Sequence, residues 1–116
     1  VSAVAELDPV IHQATRLRIM AALFRNRESS FTSLRDGLAL TDGNLASHAQ
    51  KLEEAGYLLA RRVLAGTSFE VRYRITAAGS EAFRRYVGEL RGLLAEAEVA
   101  GGAASAPGPG GAALPS

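Results

Sequence analysis

Apolar side chains recur at Val10, Ile11, Leu17, Ile19, Met20, Leu23 and Phe24, a broadly helical spacing. Asp8-Pro9 opens this stretch with a capping acid and a proline at the first helical position, so a helix is predicted from Pro9. After a short break Thr15 is placed to cap a second helix, which the run RNRESS at 25–30 should end. Thr32 is expected to cap a short helix through Leu38, with Phe31 and Leu34 pointing inward. Beyond it, Thr41 is an N-cap candidate and Leu45, Ala49 and Leu52 fall at i, i+4 and i+7 on one face. Gly56 supplies the left-handed position that ends this helix. The pattern then changes period. LLARRVL (58–64) and SFEVRYRI (68–75) flank Ala65-Gly66-Thr67, and Phe69, Val71, Tyr73 and Ile75 alternate with Glu70, Arg72 and Arg74. That alternation predicts a β-hairpin with its arginines on the solvent face. Thr76 should cap a last long helix, from Ala77 to about Glu98.

Four helices, a hairpin and a long helix describe a mainly α fold with a β-hairpin wing, the winged helix-turn-helix. In the last helix Phe83, Val87, Leu90, Leu94 and Ala97 follow the alternating four-three spacing of a coiled-coil seam, widened by Tyr86 and Leu93. A helix of this length exceeds what a small domain needs to cover its own core. Phe83, Tyr86, Val87, Leu90 and Leu94 are therefore the expected dimerisation residues of a homodimer. Residues 1–98 form the expected domain. Residues 99–116, uncharged and rich in Gly, Ala and Pro, read as a flexible tail.

The 116 residues, 47% hydrophobic and 22% charged, suit one globular domain. No apolar run approaches the ~18 residues of a membrane-spanning helix. Val1–Asp8 has no basic stretch leading an apolar core, so no signal peptide is expected and a cytoplasmic location is the default. The absence of cysteine excludes disulfides, thiolate metal sites and cysteine nucleophiles. His12 and His48 are far apart in sequence, and no metal or other cofactor is expected. No glycine-rich phosphate loop joins a strand to a helix, and no serine sits in a nucleophile elbow, so catalysis is not expected.

The net charge of +1 is uninformative, but its distribution is not. Residues 41–56 carry −2, whereas residues 57–76 hold Arg61, Arg62, Arg72 and Arg74 against Glu70 alone, +3. In a helix-turn-helix the second helix enters the DNA major groove. With Leu45 buried, Gly43, Ser47, Gln50 and Glu54 lie opposite it, flanked by Asn44 and Lys51 on one side and Ala46 on the other. Gly43 and Ala46 permit close approach, Asn44 and Gln50 can pair bidentately with adenine, and Ser47 can donate or accept.

The stretch LTDGNLASHAQKLEEAGYL (40–58), the hairpin after it and YRITAAGSEAF (73–83) resemble the winged-helix transcriptional regulators of the MarR/ArsR group. LDPVIHQATRLRIMAAL (7–23) is similar to that group's first helices, and the resemblance covers about residues 7–94. It implies a sequence-specific regulator, expected to be a dimeric repressor on a near-palindromic double-stranded operator. Asn44, Ser47, His48 and Lys51 would lie where the family reads bases or grips phosphates, with Thr41 at the helix mouth. Thr32 and Gln50 complete the helical candidates, and Arg61, Arg62, Arg72 and Arg74 would line a wing along the adjacent minor groove and backbone. His48 also borders the buried face, where it would serve as a core-edge residue. Two features depart from the group. Ser47 stands where relatives often carry a basic residue, and the wing tip Gly66–Glu70 lacks an arginine cluster. Two further readings stay open at this point: a winged-helix protein-interaction module without specific DNA binding, and an effector pocket at the dimer interface lined by Phe24, Phe83 and Tyr86.

Overall fold

A computed structural model describes residues 6–104. Its elements are α1 (Ala14–Asn26), β1 (Glu28–Ser30), α2 (Phe31–Gly37), α3 (Asp42–Glu54), β2 (Leu58–Ala65), β3 (Ser68–Ile75) and α4 (Ala77–Ala104). The three strands form one antiparallel sheet in the order β1-β3-β2. Ile19, Met20 and Leu23 of α1, Leu34 of α2, and Leu45, Ala49 and Leu52 of α3 meet Leu58, Tyr73 and Ile75 of the sheet and Ala82 and Tyr86 of α4 in one core. α1 and α3 contribute the apolar stripes that their sequence periods mark, whereas α4 buries Ala82 and Tyr86 and leaves Phe83, Val87 and Leu90 only partly covered. This mainly helical winged fold agrees with the sequence expectation. No helix among the described residues is long and apolar enough to cross a membrane.

Local chemistry departs from expectation at several element ends. Asp8 does not start a helix. Its carboxylate accepts the Val10 N–H and its carbonyl the His12 N–H, closing a single turn that drops Ile11 into the core. Gln13, extended at φ −151°, then caps α1 by accepting the Arg16 N–H, so Thr15 lies inside the first turn. β1 is a strand the sequence pattern does not announce. Glu28, Ser29 and Ser30 pair with Arg74, Tyr73 and Arg72 of β3. Three residues are too short for a period-two signal, and the partner that makes them a strand is distant in sequence. Ser30, not Thr32, caps α2, its hydroxyl accepting the Ser33 N–H.

Thr41 caps α3 as its position suggests, and Gly56 follows the end of α3 at φ 83°. Ala65 pairs with Ser68 across the two-residue turn Gly66-Thr67, so the wing is a tight hairpin. Thr76 caps α4 through the Gly79 N–H. That helix continues to Ala104, past the expected end at Glu98, because Val99 and Ala100 extend it into the glycine-rich segment. Residues 99–104 are therefore helical, and the rest of the expected tail lies outside the described residues.

Candidate nucleic-acid interface

The exposed arc of α3 is built by what its other side buries. Leu45, Ala49 and Leu52 are fully enclosed, which turns Gly43, Asn44, Ala46, Ser47, Gln50 and Lys51 outward. The helix is held at both ends of its approach. The Thr41 hydroxyl accepts the Asn44 N–H at 3.1 Å, so Thr41 is committed to the cap. Arg35 of α2 bonds the Asp42 carboxylate at 2.8 Å, and Arg18 of α1 donates to the Leu38 carbonyl at 2.7 Å, pinning the turn before α3. The sequence pattern does not mark Arg35, Arg18 or Arg16, because each acts across helices.

Along the arc, the side chains of Asn44, Ser47 and Lys51 make no hydrogen bond or ion pair among the described residues and are free to meet a ligand. Gln50 donates to Glu54 at 3.2 Å, one turn on, and would exchange that exposed contact for another. Thr32 is exposed on α2, outside this arc.

His48 is half-buried at the edge of α3. Its Nδ1 lies 3.2 Å from the Arg16 guanidinium, which also donates to the Val10 carbonyl. A guanidinium only donates, so Nδ1 accepts and the ring proton sits on Nε2. Burial, then the charges of Arg16 and Lys51, hold the imidazole below its ordinary value of 6.5. His48 thus ties α3 to α1 as a neutral ring with one donor to spare. Because the folded value is depressed, its contribution to stability is complete above pH 6.5 and is lost as pH falls through the folded value. Urea titrations from neutral to mildly acidic pH are expected to show the parent losing stability faster than His48→Gln. Equal slopes would remove His48 from the acid response.

The wing arginines do not act as one surface. Arg61 and Arg72 face each other across β2 and β3, on the outer side of the sheet. Glu28 of β1 bonds both, at 2.7 Å to Arg72 and 3.1 Å to Arg61, and Glu70 holds Arg72 at 2.8 Å. The Arg72 and Arg61 contacts draw the Glu28 carboxyl below its usual range despite partial burial. Arg62 falls on the opposite face, contrary to a single solvent face of arginines, because strand neighbours alternate sides. It lies over the Phe69 ring at 4.7 Å, near exposed Leu64. Arg74 is exposed at the base of the hairpin. Four arginines thus reduce to two unpaired cations, Arg62 towards the tip and Arg74 at the base.

α4 carries the remaining expected residues. Tyr86 is 2% exposed and hydrogen-bonds His12 at 2.8 Å, so it belongs to the domain's own core and not to the outer stripe. Phe83 packs on Phe24 of α1, with Val87 and Leu90 half-buried beside it. Leu93, Leu94 and Val99 are exposed. A groove of about 440 Å³ runs between Phe24, Phe83, Val87 and Gly88, flanked by Arg84 and Arg91. Tyr86 does not line it. No group of three metal-ligating side chains occurs among the described residues.

Against known proteins, residues 15–94 match the family described as the winged helix DNA-binding domain. The chain belongs to this family. It is also 32% identical over 81 residues to an uncharacterised protein of Methanocaldococcus jannaschii, covering 70% of this chain and 88% of that one. Among solved structures it is similar to a transcriptional regulator homologue from Pyrococcus horikoshii, with a TM-score of 0.73 and 29% identity over 77% of this chain and 88% of the other. The antimony-specific transcriptional repressor AntR gives 0.55 and 26%, covering 78% and 75%. The fold is thus that of a DNA-binding domain.

Proposed function

We propose that this winged-helix domain is a homodimeric transcriptional repressor that reads a near-palindromic operator through α3. The observation that carries the reading is the composition of the α3 arc. Asn44, Ser47 and Lys51 project without intramolecular partners beside Gly43 and Ala46, which leave room for a base edge. Asn44 serves as the base reader, Ser47 as a small donor or acceptor, and Lys51 and the His48 Nε2–H as phosphate contacts. Arg62 supplies the wing's charge. With Arg61 and Arg72 already neutralised, few counterions are released, and affinity should depend only modestly on salt. Repression is in keeping with the similarity to AntR, which is named as a repressor.

The dimer forms along α4. Residues 91–101 are exposed, and this part of the helix carries Leu93 and Leu94 on the face that Leu90 begins one turn earlier. An apolar stripe on a projecting helix is costly in water unless a second copy covers it. The groove at Phe24, Phe83 and Val87 lies on the same face of α4 as this stripe, so the partner helix fills it in preference to a small effector.

Selection of bound fragments from sheared genomic DNA, followed by footprinting, tests the reading. The parent should protect two half-sites related by two-fold symmetry about one helical turn apart. Leu94→Glu, at a residue 58% exposed, should fold normally, sediment as a monomer and lose the paired footprint. A monomeric parent or an unsymmetrical footprint would contradict the proposal.

A further inference from the structure

At the base of the wing, the end of β3, the start of α4 and the residue joining α1 to β1 enclose a cleft of about 370 Å³. It is lined by Arg27, Arg74, Ile75, Thr76, Ala77 and Ser80. None of these residues takes part in the reading by α3. Arg27 and Arg74 are exposed, and neither side chain has an acidic partner or a hydrogen bond among the described residues. Arg74 stands opposite Glu28 in the sheet register, the natural place for an ion pair, yet Glu28 is taken by Arg72 and Arg61. Two cations are thereby left beside one cleft with nothing in the chain to neutralise them.

The floor of the cleft is the first turn of α4. The Thr76 hydroxyl takes the Gly79 N–H and the Thr76 carbonyl takes the Ser80 N–H, while no acceptor in the described chain meets the N–H groups of Ala77 and Ala78. Open donors and the positive end of a long helix favour an anion there. Ser80 provides an independent observation. It is only 6% exposed, and its hydroxyl has no hydrogen-bond partner among the described residues although it borders the cleft. Buried hydroxyls are almost always paired, and one left without a partner costs stability that a bound acceptor would restore.

We infer that this cleft binds a phosphate group. Arg27 and Arg74 give charge-assisted donors from one side, the open N–H groups of α4 donate from below, and the Ser80 hydroxyl donates from within. Donors converging from several directions suit a tetrahedral oxyanion of high charge. The same chemistry is presented by a backbone phosphate of a bound duplex and by a free phosphate monoester.

Thermal unfolding of the full chain in inorganic phosphate, against chloride at equal ionic strength, tests the site. Phosphate should raise the melting temperature saturably and chloride should not. Ser80→Ala removes an unpaired buried hydroxyl, so in chloride it should melt at or above the parent temperature while its phosphate affinity falls about tenfold. Arg74→Gln, an exposed change, should lower that affinity by at least as much. The duplex arm identifies the source. If Arg74→Gln reduces the salt slope of DNA binding by about one, the phosphate belongs to the duplex; an unchanged slope with lost phosphate stabilisation assigns it to a free monoester. No phosphate-specific stabilisation together with an unchanged slope would overturn the inference, as would phosphate stabilisation that survives both substitutions.

Discussion

Replacing Gly79 with alanine is expected to lower the melting temperature by about 10 °C or more, although alanine is the better helix former. The start of α4 is fastened to the turn after α3 by a short set of bonds. The Thr76 N–H donates to the Tyr57 carbonyl at 3.0 Å, and the Thr76 hydroxyl donates to the Gly56 carbonyl at 2.7 Å while accepting the Gly79 N–H at 2.8 Å. A Cβ on Gly79 would overlap the Tyr57 carbonyl oxygen and press on the Ile75 side chain. That oxygen is backbone and already held by Thr76, so it cannot yield as a flexible side chain would. Overpacking of this kind costs about 2–3 kcal/mol, and a domain of this size loses about 4–8 °C for each. Gly92 is the internal control. A Cβ there meets nothing within 4 Å, so Gly92→Ala should gain up to about 1 kcal/mol from helix propensity alone. Calorimetry of the two variants gives opposite signs if the fastening governs, and the same sign if propensity does.

The double change Asn44→Ala with Lys51→Ala is expected to reduce operator affinity about a hundredfold without moving the melting temperature. A bidentate amide–adenine pair is worth about 1–3 kcal/mol of discrimination, and a lysine on phosphate adds a sequence-independent term. Both side chains are exposed and unpartnered, and the capping bond uses the Asn44 backbone, so folding should be indifferent. The two losses are separable by fluorescence anisotropy on a selected operator and on a scrambled duplex. Asn44→Ala should weaken only the operator. Lys51→Ala should weaken both and lower the salt slope by about one.

The elements legible in the sequence are those whose cause is local. Leu45, Ala49 and Leu52 mark the inner face of α3, and Thr41 and Gly56 mark its ends, so the outward arc follows by subtraction. The alternation from Phe69 to Ile75 gives β3 in the same way. β1 is not legible, because Glu28–Ser30 is a strand only by virtue of β3 beside it. Its consequence for the interface is equally hidden. Glu28 is 33 residues from Arg61 and 44 from Arg72, and the basic excess of the hairpin looks free until that carboxylate is placed. Tyr86 fails for a related reason. It is three positions from Phe83 and borders the outer stripe in a helical projection, but its hydroxyl meets His12, 74 residues away, and draws it into the core.

The central claim, that α3 reads a DNA sequence, is tested most directly by titrating labelled genomic fragments with the full chain at two salt concentrations in excess non-specific competitor. One or a few fragments should stay bound, with an affinity that falls modestly between the two salts. Binding of every fragment no tighter than the competitor would contradict it, and would assign the exposed face of α3 to a protein partner instead.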